Sequence, residues 1–376
     1  MVEKLKVMTV VGTRPELIRL SRVIDKLDMY FKHTLVHTGQ NYDYELQDIF
    51  HEEMGIRKAD HVLSVAGASG SQTVGNVIAA VDQLLEEVNP EALLVLGDTN
   101  SCLAVYPAKR RKIPTFHMEA GNRCFDMRVP EEINRRLVDH IADVNITYSS
   151  IARDYLLREG LPPDRIIKLG SPLREVIEHY RDKIENSNIL STFNLAPGQF
   201  FLVSVHREEN VEDDYKFNAF LDILERISLN YKVPLLVSTH PRTRKRLVEH
   251  DIQSSPLIRF LKPLGFFDYC KLQLSARVVL SDSGTITEES SIMRFPALNL
   301  REVHERPEGM EQASVMMVGL NVDSVLQGIE IIEKEKALSA RFTPAIDYEA
   351  ENISDKMVRI IHSYRHYVMR TVWKQY

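Results

Sequence analysis

The sequence predicts an α/β protein that contains two doubly wound parallel sheets. Short apolar runs rich in β-branched residues alternate with amphipathic stretches of helical length along the 376 residues. Uninterrupted apolar runs of this kind are typical of parallel strands that are covered by helices on both faces. The alternation restarts after Gly170-Ser171-Pro172, so we expect a Rossmann-like domain over residues 1–170 and a second one over residues 171–352, the two facing a cleft.

The individual elements follow from where each run begins and ends. In the first half, the predicted strands are Val7–Val11, His33–His37, Leu93–Leu96 and Thr115–Met118, and the helices are Pro15–Leu27, Ser71–Glu87, Ser101–Arg111, Glu131–Ala142 and Ile151–Glu159. In the second half, the strands are Phe201–Val205, Leu235–Ser238, Ile258–Leu261, Val278–Leu280 and Ala297–Leu300, and the helices are Tyr215–Leu229, Thr243–His250, Thr285–Arg294 and Val325–Lys334. A last amphipathic helix over about residues 353–376 is expected to pack back onto the first domain.

Composition excludes several classes of protein. A net charge of −6 argues against a nucleic-acid surface. The three cysteines lie far apart and lack metal spacing, which argues against a disulfide framework and against a zinc site. The start of the chain shows no leader, and no apolar run approaches the ~18 residues that span a bilayer. We therefore expect a cytoplasmic protein with no membrane or nucleic-acid partner and no metal.

The first strand ends in Gly12-Thr13-Arg14-Pro15-Glu16, where Gly12 permits a sharp turn and Pro15 suits the first turn of a helix. Arg14 projects from the carboxyl end of a strand, where ligands bind in open α/β sheets, and is a candidate phosphate clamp. The alternative is a surface arginine beside an ordinary turn. The segment lacks the glycine pattern of dinucleotide-binding proteins, so no nicotinamide cofactor is expected. No phosphate-binding P-loop motif occurs, which argues against a P-loop protein.

Three acidic residues follow predicted strand ends or begin a helix. Asp98 follows the strand at Leu96, Glu119 follows the next strand, and Glu131 and Glu132 begin a helix. Asp98 alone is explained equally by helix capping, and compensation of the helix dipole is the preferred explanation for Glu132. For Glu131 the two explanations stay open. Asp98, Glu119 and Glu131 in one cleft would suit proton transfer at carbon, with one carboxyl as base and another as acid.

The second half carries candidate phosphate ligands at its strand ends. His206 and Arg207 follow one strand and are candidates to bind a diphosphate, although a lone histidine is often a core residue. His240, in Ser238–Arg242, is a similar candidate. The helix that follows Ser281-Asp282-Ser283-Gly284-Thr285 presents free N–H groups and hydroxyls, a geometry that cradles phosphate. One turn into this helix, Glu289 is placed to accept both hydroxyls of a ribose, and Arg306 follows at a later strand-to-loop junction.

Taken in order, the segments resemble the non-hydrolysing UDP-N-acetylglucosamine 2-epimerase family over essentially the whole chain. The matching segments are Gly12–Glu16, Gly97–Thr99, His117–Gly121, Pro130–Asn134, His206–Asn210, Asp282–Glu289 and Glu305–Glu308. The resemblance implies a glycosyltransferase-B-like pair of domains with a UDP-sugar in the cleft and no cofactor. It implies an isomerase that eliminates UDP across C1 and C2, holds the glycal, and adds UDP back with a proton on the other face.

The resemblance also implies residue roles. Asp98, Glu119 and Glu131 match the proton-transfer carboxylates, and His206 is grouped with them as catalytic. The residues implied to bind the UDP-sugar are Arg14, Arg19, Arg207, His240, Ser283, Gly284, Thr285, Glu289 and Arg306, with Tyr269 matching the aromatic residue near uracil. A homodimer is expected.

The chain departs from the common family pattern near the expected sugar position. Arg19 replaces a lysine, Thr285 replaces a second glycine, and the segment after Glu119 is altered, with a shorter loop to Glu131. With Ser21–Val23 and Gly39–Leu46, these features resemble the branch that makes UDP-N-acetyl-L-fucosamine from its L-talo epimer for bacterial capsule and O-antigen. A 6-deoxy sugar calls for an apolar wall, which Phe125 or Met127 is placed to supply.

The chemistry agrees with elimination, because the C2 proton is not next to a carbonyl and no nicotinamide site is predicted. The nearest alternative is a UDP-GlcNAc/UDP-ManNAc 2-epimerase. The alternatives from other classes are a glycosyltransferase of the same architecture, a hydrolysing epimerase that releases free sugar, and a nucleotide-sugar sensor without catalysis.

Overall fold

The computed structural model describes residues 3–39, 53–205, 207–239, 243–244, 246–247, 255–337 and 344–375, apart from the side chains of Glu208 and Glu209. It divides into two compact units, one formed by Met1–His179 with Ile346–Tyr376 and the other by Tyr180–Ala345. No helix in these ranges is long and apolar enough to cross a membrane.

The first unit contains a parallel seven-stranded sheet in the order β3-β2-β1-β4-β5-β6-β7. Its strands are β1 (Lys6–Val11), β2 (Lys32–His37), β3 (His61–Val62), β4 (Ala92–Leu96), β5 (Thr115–Met118), β6 (Val144–Thr147) and β7 (Ile166–Lys168). Its α-helices are Arg14–Tyr30, Gly70–Val88, Val105–Arg110, Pro130–Ile141, Ser150–Arg158, Leu173–His179 and Ile353–Thr371. The order reverses between β1 and β4, which makes this pair the topological switch point where doubly wound sheets bind ligands.

The second unit repeats the plan with six parallel strands in the order β10-β9-β8-β11-β12-β13. The strands are β8 (Phe201–Val205), β9 (Leu235–Thr239), β10 (Ile258–Leu261), β11 (Val279–Ser281), β12 (Ala297–Asn299) and β13 (Met316–Met317). The helices are Arg181–Glu185, Ile189–Thr192, Glu208–Val211, Asp214–Tyr231, Phe266–Ser275, Ile286–Met293, Pro307–Glu311 and Val322–Ala337. Here the switch point lies between β8 and β11. The predicted α/β class with two Rossmann-like sheets is confirmed.

The differences from the predicted elements have local causes. The stretch predicted as one helix over Ser101–Arg111 begins as a 3₁₀ helix, Asn100–Ala104, and becomes α-helical at Val105. Strands β3, β6, β7 and β13 were not predicted. Strands β3, β7 and β13 have only two or three residues, too few to show a periodic pattern, and the four residues of β6 include the polar residues Asn145 and Thr147. Most of the predicted helix Thr243–His250 lies outside the described residues.

Along the chain, the first unit ends at His179 and the second begins at Tyr180, whereas the predicted boundary is at residue 170. Helix Leu173–His179 packs against helix Arg14–Tyr30, and the guanidinium of Arg174 lies 2.8 Å from the carboxylate of Glu349. Helix Ile353–Thr371 also packs on helix Arg14–Tyr30, where Lys26 pairs with Asp355 at 2.8 Å. The chain segments that precede and follow the second unit in sequence are therefore both packed within the first unit.

Each sheet is buried between layers of helices. All five residues of β4 are buried, and Val77, Val81 and Leu84 of helix Gly70–Val88 pack in the same apolar cluster as Leu93. Burying a side chain of this size contributes about 1.5–3 kcal/mol relative to leaving it exposed. The packing of the strands against the helices therefore holds in place the turns at the carboxyl ends of the strands.

A charged network lies inside the first unit, at the ends of β4 and β5. His117 is fully buried, and its ring nitrogens face the Asp139 carboxylate at 2.9 Å and the Gly97 carbonyl at 2.8 Å. Asp139 also accepts from Arg123 at 2.7 Å and from the Gly121 amide at 3.1 Å. Arg123 is held in turn by a forked pair of hydrogen bonds to Glu159. Burial opposes ionisation of Asp139, but the hydrogen bond and charge of His117 and the charge of Arg123 outweigh it and hold the pKa below its usual value.

Asp139→Asn is expected to destabilise the protein by about 3–5 kcal/mol, because it removes a buried anion that pairs with both His117 and Arg123 and leaves Glu159 as the carboxylate partner of Arg123. Urea unfolding measures this loss. Asp82→Asn is the matched control, since Asp82 pairs with Arg111 at the surface and should change the midpoint little.

The pH dependence of the Asp139→Asn effect has a defined sign. The folded pKa of Asp139 is lowered, so its stabilisation is present above the unfolded pKa and is lost as the pH falls through the folded one. The difference between wild type and variant should shrink in acid. Equal losses for Asp139→Asn and Asp82→Asn would contradict a structural role for the network.

Candidate functional site

The carboxyl ends of β1, β4 and β5 lie side by side in the first sheet, so the turns that follow them share one edge. Gly97 follows β4 with a φ of 76°, and Glu119 follows β5 with a φ of 69°. A positive φ is uncommon for a residue other than glycine and is concentrated at functional sites. Two of the predicted carboxylates, Asp98 and Glu119, therefore sit on sharp turns at neighbouring strand ends.

Asp98 is held by an arginine that the sequence analysis did not single out. Nε and Nη2 of Arg135 donate to Oδ2 of Asp98 at 3.1 and 2.6 Å, and Nη1 donates to Glu132 at 2.9 Å. Glu132 is fully buried and also accepts from the amide of Cys124 at 3.0 Å and from Arg136 at 3.0 Å. Glu132 is thus held by Arg135, Arg136 and the Cys124 amide, and the compensation of the helix dipole inferred for it stays a prediction.

Glu119 is paired with Arg19, whose guanidinium donates to Oε2; Arg19 is buried and Glu119 is half-buried. The amide of Asn122 donates to Oε1 at 3.3 Å. Arg19 and Asn122 are two of the positions at which this chain departs from the pattern of the family that its sequence resembles, and both contact Glu119.

Arg14 and Glu131 each occupy the first turn of a helix and are half-buried. Asn134, one turn after Glu131, donates to the Asp98 carbonyl at 2.9 Å and to Asn100 at 3.1 Å. The helix that carries Glu131 is thus fastened to the turn that carries Asp98.

A further buried carboxylate, Glu16, lies among these turns. Its oxygens accept from Gly12 N at 2.7 Å, Thr13 Oγ1 at 3.0 Å, Thr99 Oγ1 at 2.5 Å and Ser101 Oγ at 3.0 Å. Burial raises the pKa of Glu16 to about 7, and these hydrogen bonds act against that rise. Sequence analysis placed Glu16 in the Gly12–Glu16 segment and assigned it no role of its own.

In the second unit, Asp282 follows β11 and binds the segment that follows β8. Its Oδ2 accepts from the Arg207 amide at 3.0 Å and from the Asn210 side chain at 3.1 Å, while its carbonyl accepts from Arg207 Nε at 3.1 Å. His206 itself lies outside the described residues, as does His240. Arg207 is half-buried at the switch point of the sheet.

The turn before helix Ile286–Met293 carries a chain of hydroxyl contacts. Ser283 Oγ and Thr285 Oγ1 lie 2.9 Å apart, and Thr285 donates to Glu289 Oε1 at 2.6 Å. The other carboxylate oxygen of Glu289 accepts from Gln273 at 2.6 Å. Thr285 has a φ of −74°, so this position does not require the glycine that the family usually has.

Gly284 is required by packing. A Cβ on Gly284 would collide with the carboxylate of Glu305, which accepts from Arg301 at 2.6 Å. Arg306 is buried with its guanidinium 3.5 Å from Glu288. Tyr269 is half-buried on helix Phe266–Ser275, at the edge of an apolar cluster. The second unit therefore collects Ser283, Glu289, Arg207 and Arg306 around one sheet edge.

No metal site is found in the part of the chain that the structure describes, where no group of three or more His, Cys, Asp or Glu side chains is arranged to hold an ion. Cys102, Cys124 and Cys270 are free and buried.

Comparison with known proteins agrees with this geometry. The model of the UDP-N-acetylglucosamine 2-epimerase family matches residues 25–362. A UDP-N-acetylglucosamine 2-epimerase structure from Rickettsia bellii is 49% identical with a TM-score of 0.92, over 99% of this chain and all of the other. The UDP-GlcNAc 2-epimerase of Methanocaldococcus jannaschii, solved with UDP-GlcNAc and UDP, is 30% identical with a TM-score of 0.89, over 96% of this chain and all of the other.

A Pseudomonas aeruginosa relative named UDP-2,3-diacetamido-2,3-dideoxy-D-glucuronate 2-epimerase is 29% identical over 86% of this chain and 91% of its own. A Phytolacca americana protein solved with UDP-2-fluoro-glucose is 11% identical with a TM-score of 0.60 over 97% of this chain and all of its own, and it shows the glycosyltransferase-B-like fold alone. The chain belongs to the UDP-N-acetylglucosamine 2-epimerase family and is an isomerase, a UDP-sugar 2-epimerase.

Proposed function

We propose that the protein inverts C2 of a UDP-linked 2-acetamido sugar by eliminating UDP and adding it back, with Asp98, Glu119 and Glu131 as the proton-transfer groups. The observation that carries this proposal is the meeting of Asp98 and Glu119 at adjacent strand ends, each oriented by its own arginine. Fixed carboxylates of this kind suit proton transfer, because a base must lie within hydrogen-bond reach of its proton.

The proposed reaction balances without a redox cofactor. A carboxylate takes the C2 proton, the C–H electron pair becomes the C1=C2 double bond, and the C1–O pair leaves with UDP. In the return step an oxygen of UDP attacks C1, and a carboxyl delivers a proton to the other face of C2. Charge builds on the departing diphosphate, so cations and N–H donors such as Arg14, Arg207 and the turn at Ser283 would stabilise the transition state.

The second unit offers the groups that UDP needs. One oxygen of Glu289 accepts a hydrogen bond from Thr285 and the other accepts one from Gln273, and because a carboxylate oxygen has two lone pairs, acceptor capacity remains for a ribose hydroxyl. The Ser283 and Thr285 hydroxyls adjoin the start of helix Ile286–Met293, where backbone N–H groups favour phosphate. Tyr269 and Arg306 complete this assignment as contacts to the nucleotide, and His206 and His240 remain proposed ligands.

Asp98→Asn, Glu119→Gln and Glu131→Gln are each expected to lose about 10²–10⁴-fold in turnover, because each removes a proton-transfer group. The assay is epimerisation in deuterated water, where wild-type enzyme should place deuterium at C2 without added NAD or metal. Proton NMR of the product reads both the turnover and the label.

Glu289→Gln is the matched control for these carboxylate variants. A ribose contact is made equally in ground and transition states, so this variant should weaken UDP binding and change turnover less. Full C2 protium after many wild-type turnovers, or normal turnover in all three carboxylate variants, would sink the elimination mechanism and its residue assignment.

We further propose that the preferred sugar is the 6-deoxy-L-talo epimer of UDP-N-acetyl-L-fucosamine, for capsule or O-antigen synthesis. The support is the altered segment after Glu119, from which Asn122 contacts the Glu119 carboxylate. Arg19, another departure from the family pattern, binds the same carboxylate. Phe125 packs edge-on against Tyr155 and is 64% exposed, and Met127 is also exposed, so both side chains are accessible to a ligand as the proposed apolar wall.

The ratio of kcat/KM for the 6-deoxy-L-talo nucleotide sugar over UDP-GlcNAc is expected to be roughly 20 to 500. A buried methyl contributes roughly 0.8 kcal/mol, and a hydroxyl left unpaired costs about 1–3 kcal/mol. Steady-state kinetics on both substrates measure the ratio. Equal values, or a preference for UDP-GlcNAc, would assign the general UDP-GlcNAc 2-epimerase activity instead.

We also propose a homodimer, supported by an exposed apolar patch formed by Tyr106, Ile133 and Leu137. Ile133 and Leu137 lie four residues apart on one helix face and are 45% and 46% exposed, and the helix with Tyr106 packs beside them. Leu137→Glu should convert a wild-type dimer to a monomer in sedimentation equilibrium. Leu229→Glu, at an exposed leucine of the second unit, should stay dimeric, and a monomeric wild type would disprove the assembly.

A further inference from the structure

Glu16 lies at the topological switch point of the first sheet. It accepts hydrogen bonds from both sides of that point: from Gly12 and Thr13 in the turn after β1, and from Thr99 and Ser101 in the segment after β4. Doubly wound sheets open at this place because the chain departs from β1 and β4 in opposite directions. The Glu16 carboxylate therefore links the segment after β1 to the segment after β4, at the point where the fold leaves a crevice between them.

We propose that Glu16 is a positioning residue for the reaction, which fixes the turn that presents Asp98. Thr99 follows Asp98 directly, and its hydroxyl is bound by Glu16. Arg135 donates a hydrogen bond to the Asp98 carboxylate, and Asn134 donates one to the Asp98 carbonyl. The inference rests on the proposed role of Asp98 and adds to it the group that fixes its backbone.

The ionised form of Glu16 suits this task better than the neutral one. It accepts from a backbone amide and from three hydroxyls, and an ionised carboxylate is an acceptor at both oxygens. A protonated carboxyl, or a glutamine, must donate from one oxygen position and so loses an acceptor there. Because burial raises the pKa of Glu16 to about 7, the tie should weaken as the pH falls through 7.

An equivalent tie in the second unit supports the assignment. Asp282 crosses the switch point between β8 and β11 and accepts from the Arg207 amide and the Asn210 side chain. Two units with different sequences thus place a buried carboxylate across the same point of the same topology. In each case the tied segment carries a residue assigned to substrate, Asp98 or Arg207.

Burial is the largest cause of the raised pKa of Glu16. The titratable or charged residues on the elements around it include Arg14 and Arg19 on its own helix, His37 at the end of β2, Asp98 and Cys102 beyond β4, and Asp139 on helix Pro130–Ile141. Burial and the charges of Asp98, Glu16 and Asp139 raise the pKa of the Cys102 thiol, which keeps it neutral beside them. Arg19 is paired with Glu119.

The test uses Glu16→Gln, Ser101→Ala and the double variant in the full-length protein. Glu16→Gln is expected to lower kcat roughly 10- to 100-fold, as a small misplacement of a catalytic group does, with the Kd for UDP unchanged within about threefold. Ser101→Ala should lower kcat less. If the two residues act through one contact, the double variant loses no more than Glu16→Gln alone.

A stability measurement separates positioning from a merely structural role. The folded pKa of Glu16 lies above its unfolded value, so wild-type stability falls as the pH rises from about 5 to about 8, and Glu16→Gln escapes this loss. The melting temperature of Glu16→Gln relative to wild type should therefore rise over that range while its turnover stays low. The acidic limb of the wild-type kcat profile near pH 7 should be absent in the variant.

Several outcomes would overturn the proposal. These are unchanged kcat in both Glu16→Gln and Ser101→Ala, additive losses in the double variant, or turnover lost only in proportion to folded protein. Ser101→Ala keeps the test valid if Glu16→Gln does not fold. A wild-type enzyme that places no deuterium at C2 would instead refute the proposed function, and the melting measurement, which needs no substrate, still reports on Glu16.

Discussion

The candidate site of the first unit depends on the buried hydrogen bonds and ion pairs of the Asp139 carboxylate. This carboxylate is fully buried, and moving an ion of this kind out of water costs several kcal/mol unless hydrogen bonds and an opposite charge compensate. Compensation comes from His117 in β5, from Arg123 and from the Gly121 amide. His117 in turn holds the Gly97 carbonyl, so a single buried carboxylate fixes the backbone before Asp98 and after Glu119.

Sequence reasoning reached the strands, the long helices and the acidic residues at strand ends, because these follow from periodicity and from the rule that ligands bind at the carboxyl ends of parallel strands. It did not identify Arg135, Glu16 or Asp282 as residues that hold the site segments in place. Asp98 and Arg135 are 37 residues apart, and Glu16 and Thr99 are 83 apart. Only the fold determines which donors meet a given carboxylate, and a charged residue in a helix looks the same in sequence whether it is buried or solvated.

The two units apply the same topology to different chemistry. The first places carboxylates at its strand ends and pairs them with Arg19 and Arg135, which is suited to moving protons. The second places hydroxyls, a glycine turn and the start of a helix at the corresponding edge, which is suited to holding an anion. Gly284 shows how tightly that edge is built, because the Glu305 carboxylate occupies the space of a missing Cβ.

The route of the chain through the two units has a consequence for biosynthesis. The second unit is a continuous segment, Tyr180–Ala345, whereas the first is completed only by Ile346–Tyr376. Domains generally fold as units while the chain emerges from the ribosome. The segment translated first must therefore wait, with the face of helix Arg14–Tyr30 that receives helix Ile353–Thr371 uncovered, until the later unit has been made. During that interval the nascent N-terminal segment presents this uncovered helix face to solvent.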